Sequence, residues 1–94
     1  MHRTLEEPQI REDVKAILVE ITEGKASGVG DADRLREDLG LDSLDSMELL
    51  SCISEKYDVY IEPQDAAGIR TFGEIIEFVA KTLQSANEAE ARPA

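Results

Sequence analysis

Three apolar stripes, each spaced for one face of an α-helix, constrain this 94-residue sequence most, and nothing in it shows the alternation of a half-buried strand. In the first, Ile10, Val14, Ile17, Leu18 and Ile21 fall at i, i+4, i+7, i+8 and i+11, along one side of a helix. Pro8 suits a first helical position, where an N–H would have no partner, and Gly24 ends the pattern. A second helix should begin at Asp42 or Ser43 and run to about Tyr57. Leu44, Met47, Leu49, Leu50, Ile53 and Tyr57 sweep one broad side of it, and Asp45, Glu48, Cys52, Glu55 and Lys56 occupy the other. In the last, Phe72, Ile75, Ile76, Val79 and Leu83 repeat at i, i+3, i+4, i+7 and i+11, behind a Thr71-x-x-Glu74 capping box.

The connections are less regular. The loop from Gly24 to Asp33 holds three glycines and should cross back over the bundle, anchored by Val29 and Leu35. Around Pro63 to Ile69 the sequence predicts one or two turns of helix, opened by Pro63 and weakened by Gly68. Beyond Gln84 the chain turns to Ser, Asn, Ala, Glu and Pro, which predicts a frayed tail. Residues 1–94 therefore read as a single domain, with an ordered core at about 8–84 and flexible ends at 1–7 and 85–94. Three long helices plus one short helix make an all-α fold, a small four-helix bundle. With aromatics at 4% and no Trp, its core must be aliphatic.

Twenty-one acids against ten bases give a net charge of -11. Such a field repels nucleic-acid phosphates and anionic membrane surfaces and draws in basic partners. No apolar run is long enough to span a membrane, and Met1-His2-Arg3-Thr4 is not followed by a signal-peptide core. The lone Cys52 allows no intrachain disulfide, which suits a reducing compartment, so a cytoplasmic protein is expected, and separately a monomer. His2 is the single histidine and cannot build a Ser-His or Cys-His pair. Asp31-Ala32-Asp33 lacks the glycine and glutamate of a calcium loop, so no metal site is expected. Cys52, among acids on a polar face, reads as an unreactive surface thiol.

The run Leu39-Gly40-Leu41-Asp42-Ser43-Leu44-Asp45-Ser46-Met47-Glu48 sets one serine, flanked by acids, where a glycine-containing loop meets the second helix. On helix-start chemistry alone Ser43 reads as an N-cap. A first helical turn also presents unpaired N–H groups and the positive end of the macrodipole, which favour a phosphodiester on Ser43 Oγ. Asp42 and Asp45 would repel that anion and hold it outward. From Glu37 through Glu55 there is no Lys or Arg, an unbroken sign that suits a docking surface for basic partners.

That run resembles the attachment motif of acyl carrier proteins, and the resemblance extends from about Leu35 to Leu83. Glu55-Lys56-Tyr57-Asp58-Val59-Tyr60-Ile61 is similar to the end of that family's second helix, and Ile69-Arg70-Thr71-Phe72 to the entry of its last. The resemblance implies that Ser43 carries a 4′-phosphopantetheine arm donated by coenzyme A, with acyl groups held as thioesters on its thiol. It implies no catalytic site. It implies as partners a phosphopantetheinyl transferase and acyl-loading, condensing and acyl-transferring enzymes with basic patches. These would dock on Asp42, Leu44, Asp45, Met47, Glu48 and Glu55. Family members shelter acyl chains between their helices, which makes Leu35, Leu50, Ile53, Ile61, Ile69, Ile75 and Val79 candidate lining residues. An acid before the serine leans towards fatty-acid and polyketide carriers. A peptidyl or aminoacyl carrier and an unmodified acidic helical adaptor are the alternatives. Ser51, Ser54, Gly68 and the glycine-rich Gly24 to Gly30 loop depart from the family's usual pattern.

Overall fold

The first stripe forms helix α1, Glu7–Ile21, and buries Ile10, Val14 and Leu18. Our computed structural model describes residues 6–91. Pro8 takes the second helical position rather than the first, another place where an N–H would lack a partner. At the other end Thr22 Oγ1 donates to the Leu18 carbonyl at 2.7 Å and accepts from Ala26 N–H at 3.0 Å. Gly24, at φ +95°, then turns the chain into a 3-10 turn, Lys25–Gly28, that no sequence pattern announced.

Helix α2 spans Ser43–Tyr57 and helix α3 spans Phe72–Ala91. Both open on a reciprocal cap. Asp45 N–H donates to Asp42 Oδ1 at 2.8 Å and Asp42 N–H to Asp45 Oδ2 at 3.3 Å. Glu74 N–H donates to Thr71 Oγ1 at 3.2 Å and Thr71 N–H to Glu74 Oε1 at 3.1 Å. The second pair is the box expected from sequence; the first does the same with two aspartates.

Two stretches take a more particular form than the sequence specified. The short helical element expected between α2 and α3 is a 3-10 turn, Pro63–Ala66. Its bonds run three residues apart, as in Asp65 N–H to Glu62 O and Ala67 N–H to Gln64 O. Past Gln84, α3 continues to Ala91, because alanine and glutamate favour helix even without an apolar stripe. The rest of the expected flexible ends, 1–5 and 92–94, lies outside the described residues.

The result is an all-α bundle of three helices and two 3-10 turns, with no strand among the described residues. Leu49 and Ile53 of α2 and Phe72, Ile75, Ile76 and Val79 of α3 close over the α1 stripe. Each such burial contributes roughly 1.5–3 kcal/mol. Among the described residues no charged side chain is buried. The long α1–α2 connection is fastened to the start of α3. Leu35 N–H donates to Arg70 O at 2.8 Å and Phe72 N–H to Asp33 O at 3.0 Å, around an isolated antiparallel bridge between Arg34 and Thr71. That fastening fixes where α2 begins.

Candidate functional site

Leu39 and Leu41 are buried on either side of an exposed Gly40. Gly40 sits at φ +74°, a left-handed conformation that a side chain would strain, and it swings the chain from the core to the surface. The two leucines thus anchor the approach to α2. Asp42 then takes the capping role, so the N-cap that Ser43 resembled in sequence is its neighbour. Ser43 is the first residue of the helix, exposed, and its Oγ makes no hydrogen bond among the described residues.

The surroundings fall into two parts. On the outer side Leu44 is 73% and Met47 62% exposed, so these two members of the apolar arc project into solvent instead of packing. Asp42, Glu48 and Glu55 are exposed beside them, and Asp45 is half-buried in its cap. On the inner side a cleft of ≈ 500 Å³ begins at Ser43. Ser46, Met47 and Leu50 form its α2 wall, the loop residues Leu35 to Glu37 a second, and the stretch from Pro63 to Arg70 the third.

Of the seven candidate lining residues, Leu35, Leu50 and Ile69 face this cleft. Ile53, Ile61, Ile75 and Val79 are buried in the core instead. Ser46, Arg36 and Arg70 line the cleft without having been singled out for it. Only the pairing of Arg34 with Thr71 brings the two arginines to one place, and no local pattern encodes it. Cys52 is half-buried rather than on the open surface. Burial, and then the charges of Glu48, Glu55 and Glu20, push its thiol pKa up. Among the described residues no three His, Cys, Asp or Glu side chains converge to hold a metal ion.

Residues 12–79 match the family described as the phosphopantetheine attachment site. Over 75 residues the chain is 41% identical to the acyl carrier protein of Chlamydia caviae, covering 80% of this chain and 96% of that one. The chain belongs to the acyl carrier protein family. The acyl carrier protein of Sulfurovum sp. is 38% identical over 68 residues, 72% of this chain and 91% of its own. The fold is similar to a putative acyl carrier protein from Mycobacterium tuberculosis, at a TM-score of 0.71 and 29% identity over 77% of this chain and 96% of that one. It is also similar to 3-oxo-butyl-ACP, an intermediate mimic from the actinorhodin polyketide synthase in Streptomyces coelicolor. There the TM-score is 0.70 and the identity 30%, over 92% of this chain and 99% of that one.

As an acyl carrier protein the chain is a carrier without catalytic activity, and its prosthetic group is 4′-phosphopantetheine. Its partners in general are a phosphopantetheinyl transferase and biosynthetic enzymes. The residues around Ser43 fit such an arm. The hydroxyl is exposed, and the N–H groups of Ser43 and Leu44 have no acceptor among the described residues, so they can face an anion. No helix among the described residues is long and apolar enough to cross a membrane.

Proposed function

We propose that Ser43 is the attachment residue, and that the protein ferries acyl thioesters among fatty-acid, polyketide or related biosynthetic enzymes in the cytoplasm as a monomer. The observation that carries this reading is the division of labour at the start of α2. Asp42 caps the helix, which leaves Ser43 Oγ free and exposed at the positive end of the dipole. In the loading step Ser43 Oγ forms a new O–P bond to the pantetheine-bearing phosphorus of coenzyme A. The pyrophosphate P–O bond breaks, 3′,5′-ADP leaves, and the hydroxyl proton passes to a base of the transferase.

Leu44 and Met47 form the apolar centre of the docking surface, and Asp42, Asp45, Glu48 and Glu55 its acidic surround. This suits an enzyme with an apolar pocket rimmed by Lys and Arg, whose approach is steered by opposite charge and slowed by salt.

The test is intact mass before and after incubation with coenzyme A and a broad-specificity phosphopantetheinyl transferase, on wild type and Ser43→Ala. Fragmentation of the tryptic peptide Glu37–Lys56 must follow, since it also contains Ser46, Ser51 and Ser54. One phosphopantetheine is expected on wild type and none on the variant. Addition to a Ser43→Ala protein that keeps its helical spectrum would overturn the assignment.

A further inference from the structure

We propose that the cleft beside Ser43 favours an acyl chain bearing a keto oxygen over a saturated one, and that Arg36 and Arg70 make the choice. The inference rests on Ser43 as the attachment residue and goes beyond it to the class of cargo. In a chain of net charge -11, two of the few cations line a cleft that begins at that serine. Neither guanidinium makes a hydrogen bond or ion pair among the described residues. Nearby Arg34 differs: its guanidinium is held by Asp38 at 3.3 and 3.4 Å. Arg36 and Arg70 therefore keep their donors available.

A guanidinium presents N–H donors in a planar fork that suits oxygen acceptors, and its hydrogen bonds are charge-assisted. A keto oxygen beside the thioester can replace water on that fork. A saturated chain would strip the water and return nothing. Glu37 on the same wall opposes a carboxylate, so a neutral carbonyl fits better than an acid group. Glu74, the acid beside Arg70, is engaged at the cap of α3, where it accepts from Arg70 N–H at 2.7 Å and Thr71 N–H at 3.1 Å. Ser46, half-buried on the α2 wall, adds a hydroxyl. The interior offers a saturated chain little competing attraction, since Ile53, Ile75 and Val79 below are each exposed by no more than 1% and already packed.

The test compares the holo protein with forms carrying hexanoyl or 3-oxohexanoyl groups through hydrolysis-resistant amide links. Intact mass first establishes the loading, so failure to load Ser43 refutes the attachment reading separately from the cargo preference. The 3-oxohexanoyl form should shift the Nε–Hε resonances of Arg36 and Arg70 relative to holo and melt roughly 4 °C higher. The hexanoyl form should do neither. Arg36→Gln with Arg70→Gln should erase the difference, and Arg34→Gln, the loss of one positive charge outside the cleft, should preserve it. Equal responses to both chains would overturn the proposal. So would arginine shifts already complete in the holo form, which would assign the contact to the arm's phosphate, or a difference that survives the double substitution.

Discussion

Tyr57 Oη donates a hydrogen bond of 2.8 Å to Asp13 Oδ2, tying the last turn of α2 to the middle of α1. The ring is half-buried. Burial first, and then the bond to Asp13 and its negative charge, raise the phenol's pKa well above its ordinary value. An unfolded tyrosine ionises near ~10, while the folded one stays neutral further up. The contribution to stability is therefore full below about pH 10 and is lost as pH rises towards the folded pKa. Tyr57→Phe should cost about 1 kcal/mol at neutral pH and flatten the alkaline limb. Urea titrations at neutral pH and at pH values above that of the free phenol check both parts. An equally steep alkaline loss in the variant would refute the linkage.

Gly73 sits where the α1–α2 loop meets α3, and a Cβ there would lie 3.1 Å from both the Cβ and the carbonyl oxygen of Asp31. That carbonyl already accepts Gly73 N–H at 3.0 Å, and the Asp31 side chain is gripped by the Arg11 guanidinium. In an open helix Gly→Ala would gain up to about 1 kcal/mol. Here the close approach reverses the sign. We expect Gly73→Ala to cost about 1–2 kcal/mol and to lower Tm by roughly 4–8 °C. Backbone amide shifts should concentrate between Asp31 and Glu37, a stretch whose last three residues wall the cleft. An unchanged or raised Tm would show that the loop yields freely.

Much of this architecture was legible because periodicity is local. The stripes of α1 and α3 became the core, and Thr71 with Glu74 became the cap of α3 as their spacing required. Periodicity gives a face, however, and not a depth. Leu44 and Met47 share a side of α2 with Leu49 and Ile53, yet they lie at the helix end where no other helix covers them. For the same reason the sequence could not separate cleft residues such as Leu50 from core residues such as Ile53. The positions of Arg36 and Arg70 were hidden for a different reason. They depend on the Arg34–Thr71 bridge between segments far apart in the chain, which leaves no pattern in either one.

Cys52 is half-buried and its thiol pKa is raised above that of an ordinary thiol, by burial first and then by Glu48, Glu55 and Glu20. The thiolate is the reactive form, so Cys52 should react slowly with a disulfide reagent near neutral pH. Its rate should climb only above the pH range in which an ordinary thiol ionises. Loaded protein should show a fast thiol as well, belonging to the arm, and Cys52→Ser should remove the slow phase alone. Rapid modification of unloaded protein at neutral pH would contradict this.

The two halves of the α3 cap should separate by their pH dependence. Glu74 Oε1 accepts from Arg70 N–H at 2.7 Å and Thr71 N–H at 3.1 Å, and these bonds hold its carboxyl below the ordinary carboxylate range. A glutamate unfolded titrates near ~4.3 and this one lower when folded. Its contribution is thus present above about pH 4.3 and is lost as pH falls through the folded pKa. Thr71 does not ionise, so its bond from Glu74 N–H persists at every pH, and only the smaller share by which its hydroxyl steadies the Glu74 carboxylate fades in acid. Thr71→Ala should lower stability by about 1 kcal/mol with little change across the acid range. Glu74→Gln should instead flatten the acid limb, with its deficit shrinking as pH drops. Denaturant titrations of both variants in steps through the carboxylate range distinguish them. Parallel acid limbs in wild type and Glu74→Gln would mean that the glutamate's charge contributes nothing to the cap.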